Sequence, residues 1–79
     1  MAEIAEFAAS IGEYLGVEIS ETDYDKDFAE VGVDSLRAFG LMERLEQQYK
    51  IILLDESPYD FNTVRKLYDM IEAKVKEKV

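Results

Sequence analysis

Gly32-Val33-Asp34-Ser35-Leu36 marks the point where an irregular acidic segment gives way to a helix. Upstream, residues 1–34 hold ten acids against the single Lys26; downstream, residues 35–79 hold eight acids against eight bases. The whole net charge of −9 therefore lies before Ser35. Immediately after the stretch, apolar residues recur at helical spacing, which predicts a helix from about Ser35 to Lys50. Asp34 stands at its N-cap, where a carboxylate accepts a hydrogen bond from an otherwise unpaired backbone N–H. Projection at about 100° per residue gathers Ala38, Leu41, Met42, Leu45 and Tyr49 into one core-facing arc. The same projection leaves Leu36 and Phe39 toward solvent beside Ser35, a pair of large apolar side chains suited to contact with another protein.

The flanking segments complete an all-α pattern. Ile4, Phe7, Ala8, Ile11 and Leu15 mark an amphipathic first helix with Glu3, Glu6 and Glu13 outward, weakened inside by Gly12 and stopped by Gly16 through a left-handed cap. Residues 16–34 show no sustained period and read as a long loop pinned by Val17, Ile19, Phe28 and Val31, a length more often functional than idle. Ile51-Ile52-Leu53-Leu54 lacks any second strand pattern to pair with, so it reads as an extended connector with Ile51 and Leu53 inward. Pro58 suits the start of a short helix over 57–61. Asn62 or Thr63 then caps a last helix with Val64, Leu67, Tyr68, Ile71 and Val75 on its inner face, and Lys74, Lys76 and Lys78 suit its negative end. The expectation is one domain over residues 1–79: a small four-helix bundle of three main helices and one short helix, with the long loop between the first and second.

Composition narrows function. A chain of 79 residues supports one small core and no deep catalytic pocket. It contains no cysteine and no histidine, which removes disulfides, thiolate zinc sites, cysteine nucleophiles and the usual general base. No catalytic residue and no dedicated metal site is expected. No apolar run reaches the roughly 18 residues that span a bilayer, and no basic patch exists to displace counterions from nucleic acid. The start, Met1-Ala2-Glu3-Ile4-Ala5-Glu6, carries acids where an export signal carries bases, so a cytoplasmic location is expected; the starting Met1 and the absence of linker-like ends favour a freestanding protein, and a monomer without membrane or nucleic-acid partners is expected. Basic protein surfaces fit the acidic half better.

The five residues at 32–36 resemble the G-x-D-S-L signature of the acyl carrier protein family, which includes the carrier domains of polyketide and nonribosomal peptide synthases. The likeness spans nearly the whole chain: Leu15-Gly16-Val17 at the end of the first helix, Phe28 as anchor, Leu45 and Tyr49 closing the second helix, Ile51 and Leu53 in the connector, and Asn62-Thr63-Val64 opening the last. The resemblance implies that Ser35 receives 4′-phosphopantetheine from coenzyme A through a phosphopantetheinyl transferase, and that its thiol then holds acyl groups as thioesters for acyl-loading and acyl-processing enzymes. It gives Asp34 a second role beside the cap, helping to hold the metal ion used by the transferase. Leu36, Arg37, Phe39 and Glu43 are the expected docking residues.

Departures from the family pattern separate this chain from housekeeping carriers. Arg37 follows Ser35-Leu36 where an acid is usual, Gly40 takes a place often held by Glu, and Arg44 adds a second base, so the second helix is less acidic than in carriers of fatty acid synthesis. Gly32-Val33 replaces the double glycine of many amino acid carriers. These features favour an acyl or polyketide-like carrier of a specialised pathway over an aminoacyl or peptidyl carrier, with an unmodified helical interaction module as the competing class. A calcium-loop reading also starts at Asp23, with Asp25 and Asp27 at alternate positions and Asp34 at the twelfth. It fails on Phe28, where the sharp turn needs glycine, and on Asp34, where a longer glutamate binds bidentately.

Overall fold

The computed structural model describes residues 3–77; Lys78, expected to complete the basic end of the last helix, lies outside them. Three α-helices form the bundle: α1 over Ile4–Leu15, α2 over Ser35–Tyr49 and α3 over Val64–Glu77. The first buries Phe7, Ala8, Ile11 and Leu15, the inner stripe expected from its spacing, and ends on Gly16 in the left-handed region at φ 74°. Gly12 does more than weaken the helix: a Cβ there would meet the Val17 carbonyl oxygen at 2.7 Å. Only glycine lets the chain fold back so tightly over the last turn, where both Gly16 and Val17 donate N–H to the Gly12 carbonyl.

Residues 16–34 are pinned more closely than a plain loop. They contain two 3₁₀ turns, Glu21–Asp23 and Phe28–Val31. Ser20 and Asp23 close the first reciprocally, and the Asp27 carboxylate caps the second by accepting from the Ala29 N–H at 2.9 Å. Phe28 is buried as expected, and so are Tyr24 and Val33. Val17, Ile19 and Val31 are partly buried against the same core. The segment is tied to the start of α3: the Phe28 N–H donates to the Asn62 carbonyl and the Arg65 N–H to the Tyr24 carbonyl. Asn62 Nδ2 donates to Asp27 at 2.9 Å, and Arg65 Nε to Asp25 at 2.7 Å.

The carboxylates of the calcium-loop pattern accordingly turn to different partners. Asp23 accepts from Ser20 and Lys26, Asp25 from Arg65, and Asp27 from Ala29 and Asn62. Among the described residues no three acidic side chains gather as a metal-holding group. The Ser20 N–H and Lys26 hold the Asp23 carboxyl below the usual carboxylate range.

The connector after α2 crosses the core as its alternation predicts, with Ile51 and Leu53 buried and Ile52 and Leu54 exposed. An extended segment without a strand partner leaves backbone N–H groups to satisfy. Here Glu46 of α2 meets that need, accepting from the Leu53 and Leu54 N–H groups at 2.6 and 3.0 Å. The short helix expected over 57–61 is a single 3₁₀ turn, Pro58–Asp60, closed by a bond from the Asp60 N–H to the Ser57 carbonyl. Only this one 3₁₀ turn is formed between the Ile51–Leu53 crossing and the Asn62 anchor. Thr63 caps α3 by accepting from the Lys66 N–H at 3.1 Å, and Val64, Leu67 and Ile71 are fully buried. The bundle is three α-helices with 3₁₀ turns in the connections.

Across this bundle α1 packs against both α2 and α3, while α2 and α3 approach each other less closely. That uneven packing leaves room beside the start of α2.

Candidate functional site

Four consecutive local choices present Ser35. The 3₁₀ turn at Phe28–Val31 ends on Gly32 at φ 89°, a left-handed conformation that glycine adopts without steric penalty. Val33 then anchors the turn, buried in the core with its N–H donating to the Phe28 carbonyl at 3.0 Å. Asp34 leaves the core as N-cap, its Oδ1 accepting from the Arg37 N–H at 2.7 Å. Ser35 follows as the first residue of α2, exposed, and its hydroxyl has no hydrogen-bond partner among the described residues.

The expected docking residues do not all behave alike. Leu36 is 83% exposed and Phe39 51%, the solvent-facing apolar pair anticipated from the helical projection. Glu43 is exposed on the same side. Arg37 is about half exposed, but its side chain bends back over the turn: Nη1 donates to the carbonyl of Leu15, the last residue of α1, at 3.2 Å. Its Nε stands 3.8 Å from Asp34 Oδ2. Two turns further along this flank, the Arg44 guanidinium lies over the Tyr14 ring of α1 at 5.1 Å. The two bases that set this α2 apart in sequence thus both lean toward α1.

The opposite flank of α2 is apolar and hollow. A cleft of about 450 Å³ opens between the Asp27–Ser35 turn and Phe61. A second, of about 400 Å³, is bordered by Phe39, Leu54 and Glu56. Ser35, Ala38, Met42 and Phe61 line both, so the exposed hydroxyl sits at the edge of each. The smallness of Ala38 leaves space that a larger residue would fill. The Glu56 side of the second cleft is held to α3 by an ion pair with Lys74 at 3.1 Å, and the adjacent carboxylate keeps the Lys74 ammonium protonated above the ordinary lysine range. Sequence reasoning placed Ala38 and Met42 on the core face but left out Phe61, Leu54 and Glu56. Phe61 carried one signal, a large aromatic just ahead of a helix cap.

Residues 5–71 match the family model described as the phosphopantetheine attachment site. The chain belongs to the acyl carrier protein family. It is 35% identical over 68 residues to the acyl carrier protein of Treponema pallidum, covering 85% of this chain and 87% of that one. It is 37% identical over 67 residues to the acyl carrier protein of Trieres chinensis, covering 80% of each. A similar stretch occurs in the non-reducing polyketide synthase terA of Aspergillus terreus, 34% identical over 69 residues, which is 86% of this chain and 3% of the synthase. No solved structure matches the chain significantly.

Acyl carrier proteins are carriers rather than catalysts, and they bear covalently attached 4′-phosphopantetheine. The residues present fit such a group. A hydroxyl without a bond among the described residues stands at the start of α2, apolar clefts open beside it, and the chain has no cysteine to provide a thiol of its own. No helix among the described residues is long and apolar enough to cross a membrane.

Proposed function

We propose that the chain acts as a single carrier domain over residues 1–79, with 4′-phosphopantetheine attached to Ser35 and acyl groups presented from it to partner biosynthetic enzymes. The observation that carries this reading is the exposed Ser35 hydroxyl, without a partner among the described residues, at the first position of α2 and inside the segment that matches the family model. In the attachment step, catalysed by a separate phosphopantetheinyl transferase, Ser35 Oγ attacks the pantetheine-bearing phosphorus of coenzyme A. A new P–O bond forms, the bond to adenosine 3′,5′-bisphosphate breaks, and the hydroxyl proton leaves to a base outside this chain. When bound, the group supplies a thiol that carries acyl cargo as a thioester.

The chain's own residues position and present. Asp34 holds the first turn of α2 in place with one oxygen, while the other, on an exposed carboxylate 3.8 Å from Arg37 Nε, can contact the divalent ion used by the transferase. Leu36 and Phe39 offer apolar contact to partner enzymes, with Glu43 exposed on the same side and the half-exposed Arg37, turned toward the end of α1, at the margin. The clefts along Ala38, Met42 and Phe61 suit apolar cargo.

The pathway is a specialised one, polyketide-like or a modified fatty acid route. Arg37, Gly40 and Arg44 make α2 less acidic than a housekeeping partner would read, and the likeness to part of a polyketide synthase supports the same direction. The carrier works as a cytoplasmic monomer.

Mass spectrometry after incubation with coenzyme A and a broad-specificity transferase tests the reading. Wild type gains one pantetheine mass and Ser35→Ala none. No gain in wild type leaves an unmodified interaction module, and equal gain in Ser35→Ala moves the attachment elsewhere. Loading of an aminoacyl group in preference to an acyl group by matched loading enzymes would reassign the cargo to the peptidyl class.

A further inference from the structure

Attachment at Ser35 converts a neutral hydroxyl into a phosphodiester carrying one negative charge, directly beside the Asp34 carboxylate in a chain already at −9. Like charges in adjacent positions disfavour the folded turn that holds them together. The positive end of α2 offsets part of this, but the Arg37 N–H of its first turn is already taken by the Asp34 cap. Lys26, the one base before Ser35, is paired with Asp23. From residue 27 to residue 43 the sequence contains one base, Arg37. Its guanidinium is not free to wander. Nη1 is anchored on the Leu15 carbonyl, 22 residues back in sequence, and the anchor leaves Nε 3.8 Å from the outer oxygen of Asp34.

We propose that Arg37 is a positioning residue for the modified turn: anchored on the end of α1, it holds the Asp34 carboxylate and offsets its charge, so that a phosphodiester on Ser35 is tolerated without loss of stability. This rests on the reading of Ser35 as the attachment residue. It adds a distinct role to a side chain whose position on α2 first suggests partner docking. The guanidinium serves two ends because its fork reaches a backbone carbonyl with one nitrogen while another faces the carboxylate, an arrangement a lysine cannot reproduce in full.

The test compares the melting temperature of each variant before and after modification, with conversion by coenzyme A and a broad-specificity transferase verified by intact mass. In wild type the modified and unmodified forms melt within about 1 °C of each other at low salt. In Arg37→Gln the modified form melts about 2–4 °C below the unmodified one, the size expected for one repulsion between exposed charges left without an offsetting base in a domain this small. That gap closes at about 0.5 M salt, where the screening length is only a few ångströms. Arg37→Lys keeps the charge and loses the fork, so both its forms melt lower than wild type while their difference stays near zero. An Arg37→Gln gap equal to that of wild type overturns the proposal, and so does an Arg37→Lys gap as large as that of Arg37→Gln. Absence of any mass gain in wild type overturns instead the assignment of Ser35, a result read before any melt is recorded.

Discussion

Two non-α segments of similar purpose are held in different ways. Residues 16–34, which lead into Ser35, bury Tyr24, Phe28 and Val33 and add long-range polar ties: Asp27 to Asn62, Asp25 to Arg65, and backbone bonds joining Tyr24 and Phe28 to the start of α3. Residues 50–61, which wall the second cleft, are fastened largely by apolar burial, with Leu53 fully buried, Ile51 and Phe61 nearly so, and Glu46 satisfying the backbone. The first arrangement is directional and fixes where a hydroxyl sits. The second rests on apolar burial, which is non-directional and sets no single geometry for the cleft wall. A carrier needs both, a fixed attachment point and an adaptable surface beside it.

The contrast breaks most visibly at Leu53. Leu53→Ala removes a fully buried side chain and is expected to lower stability by about 2–5 kcal/mol in denaturant titration. A loss under about 1 kcal/mol would mean that apolar burial does not hold the connector. Asn62→Ala removes the side-chain tie to Asp27 and leaves the backbone bond to Phe28, so a smaller loss of about 1 kcal/mol is expected. Hydrogen exchange should then show faster opening at residues 27–33 than in the connector. If the connector loosens equally, the two segments are not separately fastened.

The smallest effect is on pH. The Asp23 carboxyl is held below its ordinary range by Ser20 and Lys26, so its contribution is present above the ordinary carboxylate pKa and is lost as pH falls through the depressed value. Lys74 is held above its ordinary range by Glu56; its contribution is present below the ordinary lysine pKa and is lost as pH rises through the raised value. Acid should loosen the first segment, and strong alkali the Glu56 side of the second. Melting curves of Asp23→Asn and Lys74→Gln at both extremes test the assignment. A steep acid loss that survives in Asp23→Asn would remove Asp23 from it.

Much of the fold was legible because periodic segments advertise their buried faces. The inner stripes of all three helices, the Gly16 stop, the Asp34 and Thr63 caps and the inward Ile51 and Leu53 follow from spacing and cap chemistry alone. Tyr24, Val33 and Phe61 were not anticipated as core. They lie in aperiodic stretches, where burial is set by ties between residues 35 and 40 positions apart, which local spacing does not reveal. The expected short helix at 57–61 is one 3₁₀ turn, in a stretch with no helical repeat of apolar residues to extend it. At the site, the exposure of Ser35, Leu36 and Phe39 was readable from the α2 projection. The reach of Arg37 to Leu15 was not, since it depends on where α1 ends in space.

Met42 is 2% exposed and yet lines both clefts. The hydrophobic core and the hollow beside Ser35 are therefore two sides of the same side chain, with no separate pocket lining between them. An apolar group entering either cleft touches a residue whose burial helps fold the chain, and ligands that bind only the folded state stabilise it by mass action. In a chain this small, an apolar group seated in either cleft would act on the same packing that keeps the chain folded.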